Sequence, residues 1–180
     1  MRREPAVAIP VEHADRTFGF LVHDVSRLIK RRFERQARKT GLAITRRQAA
    51  VVLYVARNEG VSQAEVATWL DLEPIALVRM LDKLQEEGLV ERRAHPTDRR
   101  VRTLWLAAGA ESVVERILDI NQMIREESFA GLAPGTRDAM IAVLGSIKDN
   151  LTLEEEAAGD QPAQPAELLA EPLAGSTAIG

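Results

Sequence analysis

Between Ser62 and Leu106 the chain carries start and stop signals dense enough to leave few ways of folding. Ser62-Gln63-Ala64-Glu65 has the spacing of a capping box, in which a serine and a glutamate three residues on satisfy each other's exposed backbone N–H groups. It predicts a short helix to about Leu70 and a turn at Asp71-Leu72-Glu73. A second helix then opens on Pro74, whose φ is already set and which has no N–H to leave unpaired. Leu77, Met80, Leu81 and Leu84 recur at i, i+3, i+4 and i+7, one apolar stripe along that helix. Gly88 ends it, being the residue best suited to a left-handed C-terminal cap.

The other face of the second helix is unlike a solvated one. Ile75, Ala76, Val78 and Arg79 point away from the stripe, where Glu, Lys and Gln would be ordinary. Two explanations fit that face equally. Small and branched apolar groups suit thymine methyls in a major groove, and arginine suits guanine O6/N7 or phosphate; or Ile75 and Val78 pack against a neighbouring element. The next segment decides between them. Leu89–Arg93 and Val101–Leu106 have strand character, and the loop between them, Ala94-His95-Pro96-Thr97-Asp98-Arg99-Arg100, is turn-forming with a basic end. Seven basic side chains lie from Arg79 to Arg102: Arg79, Lys83, Arg92, Arg93, Arg99, Arg100 and Arg102. A helix-turn-helix followed by a basic wing makes a phosphate-binding surface with one element sized for the major groove. The segment is expected to bind DNA.

These residues resemble the MarR family of bacterial transcription regulators. The family's wing signature, Asp-x-Arg followed by Leu-x-Leu, is met by Asp98, Arg100, Leu104 and Leu106. Its Leu-x-x-x-Gly-Leu-Val segment appears as Leu84-Gln-Glu-Glu-Gly88-Leu89-Val90. The resemblance covers about residues 14–152. It implies a mainly α winged helix-turn-helix fold, with a small β-hairpin wing and long N- and C-terminal helices that intertwine into a homodimer. It also implies an effector pocket between those helices and the DNA-binding part. One departure is Glu73, where the family more often has Ser or Thr. Glutamate caps less well and either accepts from a cytosine N4 amino group or repels phosphate, so the operator's base preference stays open.

Composition narrows the classes further. The absence of cysteine rules out a disulfide framework, a thiolate zinc site and a cysteine redox switch. No apolar run approaches a membrane span and Met1-Arg-Arg-Glu-Pro5 lacks a signal-peptide core, so a cytoplasmic protein without membrane partners is expected. The net charge of −3 is unusual for a DNA binder until it is divided along the chain. Residues 151–180 hold six carboxylates and no base, so the rest of the chain carries +3, with the positive charge concentrated in the wing.

The expected organisation is a short arm at 1–13, a winged-helix domain at 14–153 and a disordered acidic tail at 154–180. Within the domain, 42–106 is the DNA-binding part, and 14–40 and 107–153 are dimerisation helices. A helix over about Asp15–Lys39 aligns Phe18, Leu21, Val22, Val25, Leu28, Ile29 and Phe33. Its other face, with Arg27, Lys30, Arg31, Arg32, Arg35, Arg38 and Lys39, is a solvated face or a phosphate-facing rim, the former favoured. Thr45-Arg-Arg-Gln48 is a second capping box and Gly60 closes the helix it opens. Helices are expected at about 108–129 and 136–153, the latter using Met140, Ile141, Leu144, Ile147 and Leu151. The winged part alone cannot cover these stripes, and the economical partner is the same stripe on a second copy.

Among the candidate site residues Arg100 stands first. A wing reaches toward the adjacent minor groove, where a narrow A·T segment concentrates negative potential. Asp98 is placed to pair with Arg100 and aim it; the bland alternative is an ordinary surface ion pair. Arg92, Arg93 and Arg99 are expected on phosphates. Arg46, Arg47, Ser62 and Gln63 stand at helix N-termini, where phosphates dock, although half of them could be merely solvated. His23 is either a satisfied core or interface histidine or, with Phe18 and Arg27, part of the effector pocket. The histidines form no spaced cluster, so no metal is expected; no nucleophile–base–acid constellation or phosphate-cradling glycine loop is present, and neither an enzyme nor a cofactor is expected. The expected function is that of a homodimeric repressor that binds a pseudo-palindromic DNA operator and is released by a small aromatic, phenolic or anionic ligand. A ligand-independent architectural or activating DNA binder, and a protein-binding module, are the alternatives.

Overall fold

The computed structural model describes residues 17–98 and 100–157, with six helices and three short strands among them. The elements are α1 (Phe18–Lys39), α2 (Arg46–Arg57), β1 (Val61–Ser62), α3 (Gln63–Leu70), α4 (Pro74–Glu86), β2 (Val90–Ala94), β3 (Arg102–Leu106), α5 (Glu111–Phe129) and α6 (Thr136–Ala157). Both capping boxes form. The Thr45 side chain accepts from the Gln48 N–H while the Gln48 side chain accepts from the Thr45 N–H, and Ser62 and Glu65 do the same at α3. Pro74 opens α4, and Glu73 before it makes no side-chain cap, as its chemistry suggests. The helix-turn-helix bend is made by Asp71, whose φ of 49° is left-handed, a conformation a short Asp tolerates better than most side chains.

One strand was not anticipated. Val61 and Ser62 pair with Leu104 and Thr103, so the hairpin becomes a three-stranded antiparallel sheet of order β1-β3-β2. This small sheet ties the start of the helix-turn-helix directly to the returning strand of the wing. Gly60 serves that junction and does not close α2, which ends on Asn58. Its N–H donates to the Leu104 carbonyl at 2.8 Å, its φ is 87°, and a Cβ there would lie 3.3 Å from the Trp105 ring.

The core lies where α2, α3 and α4 meet the sheet and the inner faces of α1 and α5. Val51, Val52 and Val55 from α2, Val66 from α3, Leu77, Leu81 and Leu84 from α4, Val90 and Leu104 from the sheet, and Phe33, Ile117 and Ile120 from the long helices are all buried. Tyr54 and Trp69 stack with ring centroids 4.3 Å apart, joining α2 to α3. Beside this core α1 and α5 are held together by the Arg32–Glu127 ion pair at 2.5 Å, and Arg116 of α5 donates to the Thr40 carbonyl after α1.

The stripes of the long helices divide, and the winged part leaves much of their length uncovered, as expected. On α1 only Phe33 and Ala37 are buried; Phe18, Phe20, Leu21, Val22, Val25 and Leu28 are exposed. Every large apolar residue named for α6 apart from the half-buried Ile147 is exposed, and α6 packs on no other element to a comparable extent. The periodicity marked these faces, and among the described residues they stay largely uncovered. The last helix also continues through Ala157, past the expected end at Leu153. The arm at 1–13 and the rest of the tail lie outside the described residues.

Two measurements test these local assignments. Gly60→Ala should destabilise the protein by about 1–2 kcal/mol in urea unfolding, because it adds left-handed strain and crowds Trp105. At α3, hydrogen bonding from the Ser62 side chain, and then from its backbone, holds the Glu65 carboxyl below its ordinary value of 4.5. A depressed folded value contributes stability that is present above the unfolded value and lost as pH falls through the folded one. Glu65→Gln should therefore flatten the loss of stability at pH below about 4.5, read from melting curves across that range.

Candidate nucleic-acid interface

The inward stripe of α4 fixes what its opposite face presents. With Leu77, Leu81 and Leu84 buried, residues offset by about 100° each emerge on the far side. Ile75 is 70% exposed and Val78 43% exposed, with Ala76 and Arg79 exposed beside them. Among the described residues no element covers Ile75 and Val78, so the packing explanation for that face finds no support there. Arg79 makes no ion pair among the described residues.

The wing is stiffened from within. Thr103 Oγ1 donates to the Arg93 carbonyl at 3.2 Å and accepts from Trp105 Nε1 at 3.1 Å. Arg93 lies over the Trp105 ring, 4.6 Å from its centroid, and pairs with Glu91 at 2.9 Å. At the tip, the Asp98 carboxylate accepts from the Arg100 backbone N–H at 2.9 Å. Asp98 thus shapes the turn that carries Arg100 and does not pair with its guanidinium, which has no ion pair among the described residues. Arg99 lies outside the described residues.

The other candidate arginines differ in how free they are. Arg92 is engaged with α4: it meets Asp82 at 2.6 Å and donates to the Val78 carbonyl at 3.0 Å. Arg46 packs with its guanidinium 5.6 Å from the Phe33 ring centroid, and burial draws it down from its ordinary value. Arg47, one residue on, is exposed and has no ion pair among the described residues. The Ser62 hydroxyl is occupied as a cap, while Gln63 is half-buried at the first turn of α3. Thus Ile75, Ala76, Val78, Arg79, Arg47 and Arg100 are presented to solvent, whereas Arg46, Arg92 and Arg93 are held by the protein itself.

Phe18, His23 and Arg27 share the first half of α1. Phe18 and His23 are exposed, so His23 is not a core histidine of the single chain, and Arg27 pairs with Asp24 at 2.7 Å. That pair holds the Asp24 carboxyl below its usual range. Two features had escaped sequence reasoning: the strand at Val61–Ser62 and the engagement of Arg92 with α4. Strand alternation pointed to the second, because Val90 and Arg92 share a face of β2.

A helix-turn-helix whose second helix presents an uncovered face beside a β wing is the architecture of a winged-helix DNA-binding protein. Residues 44–101 match the MarR family, and the described residues share the winged helix-turn-helix fold of solved MarR-family structures. Wild-type MarR from E. coli in its apo form superposes with a TM-score of 0.64 at 25% identity, over 73% of this chain and 96% of that one. The transcriptional repressor CouR, bound to a 23-mer DNA duplex, gives a TM-score of 0.69 at 24% identity, over 78% of this chain and 98% of that one. Bordetella bronchiseptica BpsR, whose DNA binding is regulated by 6-hydroxynicotinic acid, gives 0.66 at 20% identity, over 76% and 96%. Among the described residues no helix is long and apolar enough to cross a membrane.

The wing geometry predicts a difference between two substitutions at one position. Asp98→Asn keeps a side-chain oxygen to accept the Arg100 N–H, and Asp98→Ala removes it. Amide exchange at Arg100 should be nearly unchanged in the first and several-fold faster in the second. Equal exchange in both would show that the turn does not depend on this bond.

Proposed function

We propose that the protein is a homodimeric transcriptional repressor that places α4 of each copy in a major groove of a pseudo-palindromic operator and each wing in an adjacent minor groove. The observation that carries this reading is the exposed face Ile75-Ala76-Val78-Arg79, together with a wing whose Arg100 has no ion pair among the described residues. In it, Ile75, Ala76 and Val78 meet thymine methyls, Arg79 meets a guanine edge or phosphate, and Arg47 and Gln63 meet backbone phosphates. Glu73 stands at the N-terminus of α4, where it favours a cytosine amino group over a phosphate. Arg100 enters the minor groove, with Arg99 on the flanking backbone. CouR, of similar fold, is seen on DNA, which supports the mode of binding.

The dimer is proposed from the uncovered apolar faces of α1 and α6. Leu21, Val25 and Leu28 on one and Met140, Leu144 and Leu151 on the other form surfaces that a monomer in water would rarely leave open. A second copy covers them with the same stripes and sets the spacing between the two α4 helices. A small aromatic, phenolic or anionic ligand bound near Phe18, His23 and Arg27 then lowers DNA affinity by preferring a spacing that misses the half-sites. BpsR, regulated by a hydroxylated aromatic acid, lends support to the ligand class.

Arg100→Ala should lower affinity for a duplex selected by the wild-type protein from a randomised pool by about 1–3 kcal/mol, with melting behaviour and oligomeric state unchanged. A gel-shift titration at wild-type affinity would remove the wing from the interface. Sedimentation should give a dimer for the full chain, and Leu21→Asp with Leu144→Asp should yield monomers or aggregates. A well-behaved wild-type monomer would contradict the assembly. DNA affinity indifferent to a panel of aromatic carboxylates would favour a ligand-independent DNA binder.

A further inference from the structure

We propose that Arg92 is a positioning residue, which sets the wing against the recognition helix α4 and does not itself contact DNA. The proposal rests on the reading of α4 and the wing as one DNA-binding surface, and it assigns to Arg92 a role different from that of the free cations around it.

The geometry follows from strand alternation. Val90, Arg92 and Ala94 share one face of β2, and Val90 is buried where that face meets α4. Two residues on, the strand has moved outward and the gap to the helix is filled by the Arg92 side chain. Its Nη1 lies 2.6 Å from Asp82 Oδ1 and 3.4 Å from Gln85 Oε1, while Nη2 donates to the Val78 carbonyl at 3.0 Å. Val78, Asp82 and Gln85 are spaced i, i+4 and i+7, so one guanidinium spans two turns of α4 along a single edge. The side chain is only 21% exposed, against 52% for its Asp82 partner, and its Nε is buried without a partner. Three of the five guanidinium donors are engaged by helix acceptors and the Nε donor is out of reach of solvent, so a phosphate would have to compete with Asp82 for this side chain.

The position of this contact gives it consequence. Val78 lies on the exposed face of α4, so the carbonyl that Arg92 grips belongs to a residue proposed to meet bases. Eight residues beyond Arg92, across the turn shaped by Asp98, the chain reaches the Arg100 tip. Arg92 therefore fixes the offset between a helix bound for a major groove and an arginine bound for the neighbouring minor groove. Without it, the apolar seam ending at Val90 leaves the wing tip free to swing, and Arg100 no longer arrives in register. Lysine cannot replace it, since one ammonium cannot hold the carboxylate and the carbonyl in the same planar fork.

The test uses the full-length protein, the duplex it selects from a randomised pool, and the variants Arg92→Met, Arg92→Lys and Asp82→Asn. Arg92→Met keeps the apolar stem, and Asp82→Asn alters only an exposed helix position. Each should lower affinity about tenfold without changing the slope of log affinity against log salt; a lost phosphate contact would reduce that slope by about 0.9. The loss caused by Arg100→Ala should be smaller in the Arg92→Met background than in the wild type, because a wing already out of register has less to lose. In the free protein, amides of residues 95–102 should exchange faster in all three variants. A reduced salt slope with full additivity toward Arg100→Ala would overturn the proposal, as would unchanged affinity. If the wild type selects no duplex, the DNA-binding reading fails and exchange alone decides: faster exchange at the tip supports the brace, and wild-type exchange overturns it.

Discussion

Everything that faces outward on α4 does so because Leu77, Leu81 and Leu84 face inward. These side chains are buried against the other helices and the sheet, and each contributes on the order of 1.5–3 kcal/mol by leaving water. Rotating the helix by a quarter turn would expose the three leucines and bury Arg79, a change that no single surface contact could offset. The hydrophobic stripe is thus what aims the recognition face. Ile75, Ala76, Val78 and Arg79 need no further support to be presented, and DNA meets them already in place.

The wing obeys a different physics. Its base is buried at Val90 and Leu104, but beyond them it projects from the core, and polar bonds and ring contacts stiffen it: Thr103 to the Arg93 carbonyl, Trp105 to Thr103, Arg93 over Trp105 and the Arg100 N–H to Asp98. The same residue type serves two ends. Arginines near the helix–sheet junction are held by carboxylate, carbonyl or ring, while those at the rim keep their donors open. Since arginine stays charged whatever its surroundings, the division is one of geometry and not of protonation.

How far the sequence disclosed this structure depends on whether a feature is local. The capping boxes at Thr45 and Ser62, Pro74 at the start of α4 and the leucine stripe act within one or two turns, and all lie where their spacing indicated. The strand at Val61–Ser62 was hidden because two residues have no periodicity; it exists only through its partners Leu104 and Thr103. Arg92 was taken for one more wing cation because its acceptors lie seven to fourteen residues earlier, on another element. On α1 and α6 the apolar period was legible, but whether Leu21 or Leu144 finds cover within the chain is a question of tertiary packing, and both are exposed. That exposure is what turns two amphipathic helices into the basis for a proposed dimer.

The central claim is that α4 reads the major groove while the wing occupies the minor groove beside it. Dimethyl sulfate footprinting tests both at once, because it methylates guanine N7 in the major groove and adenine N3 in the minor groove. On a duplex selected by the protein, guanine N7 should be protected in two patches about one helical turn apart, with adenine N3 protection flanking each patch. Binding that leaves guanine N7 fully reactive, with protection confined to the sugar–phosphate backbone, would contradict the account.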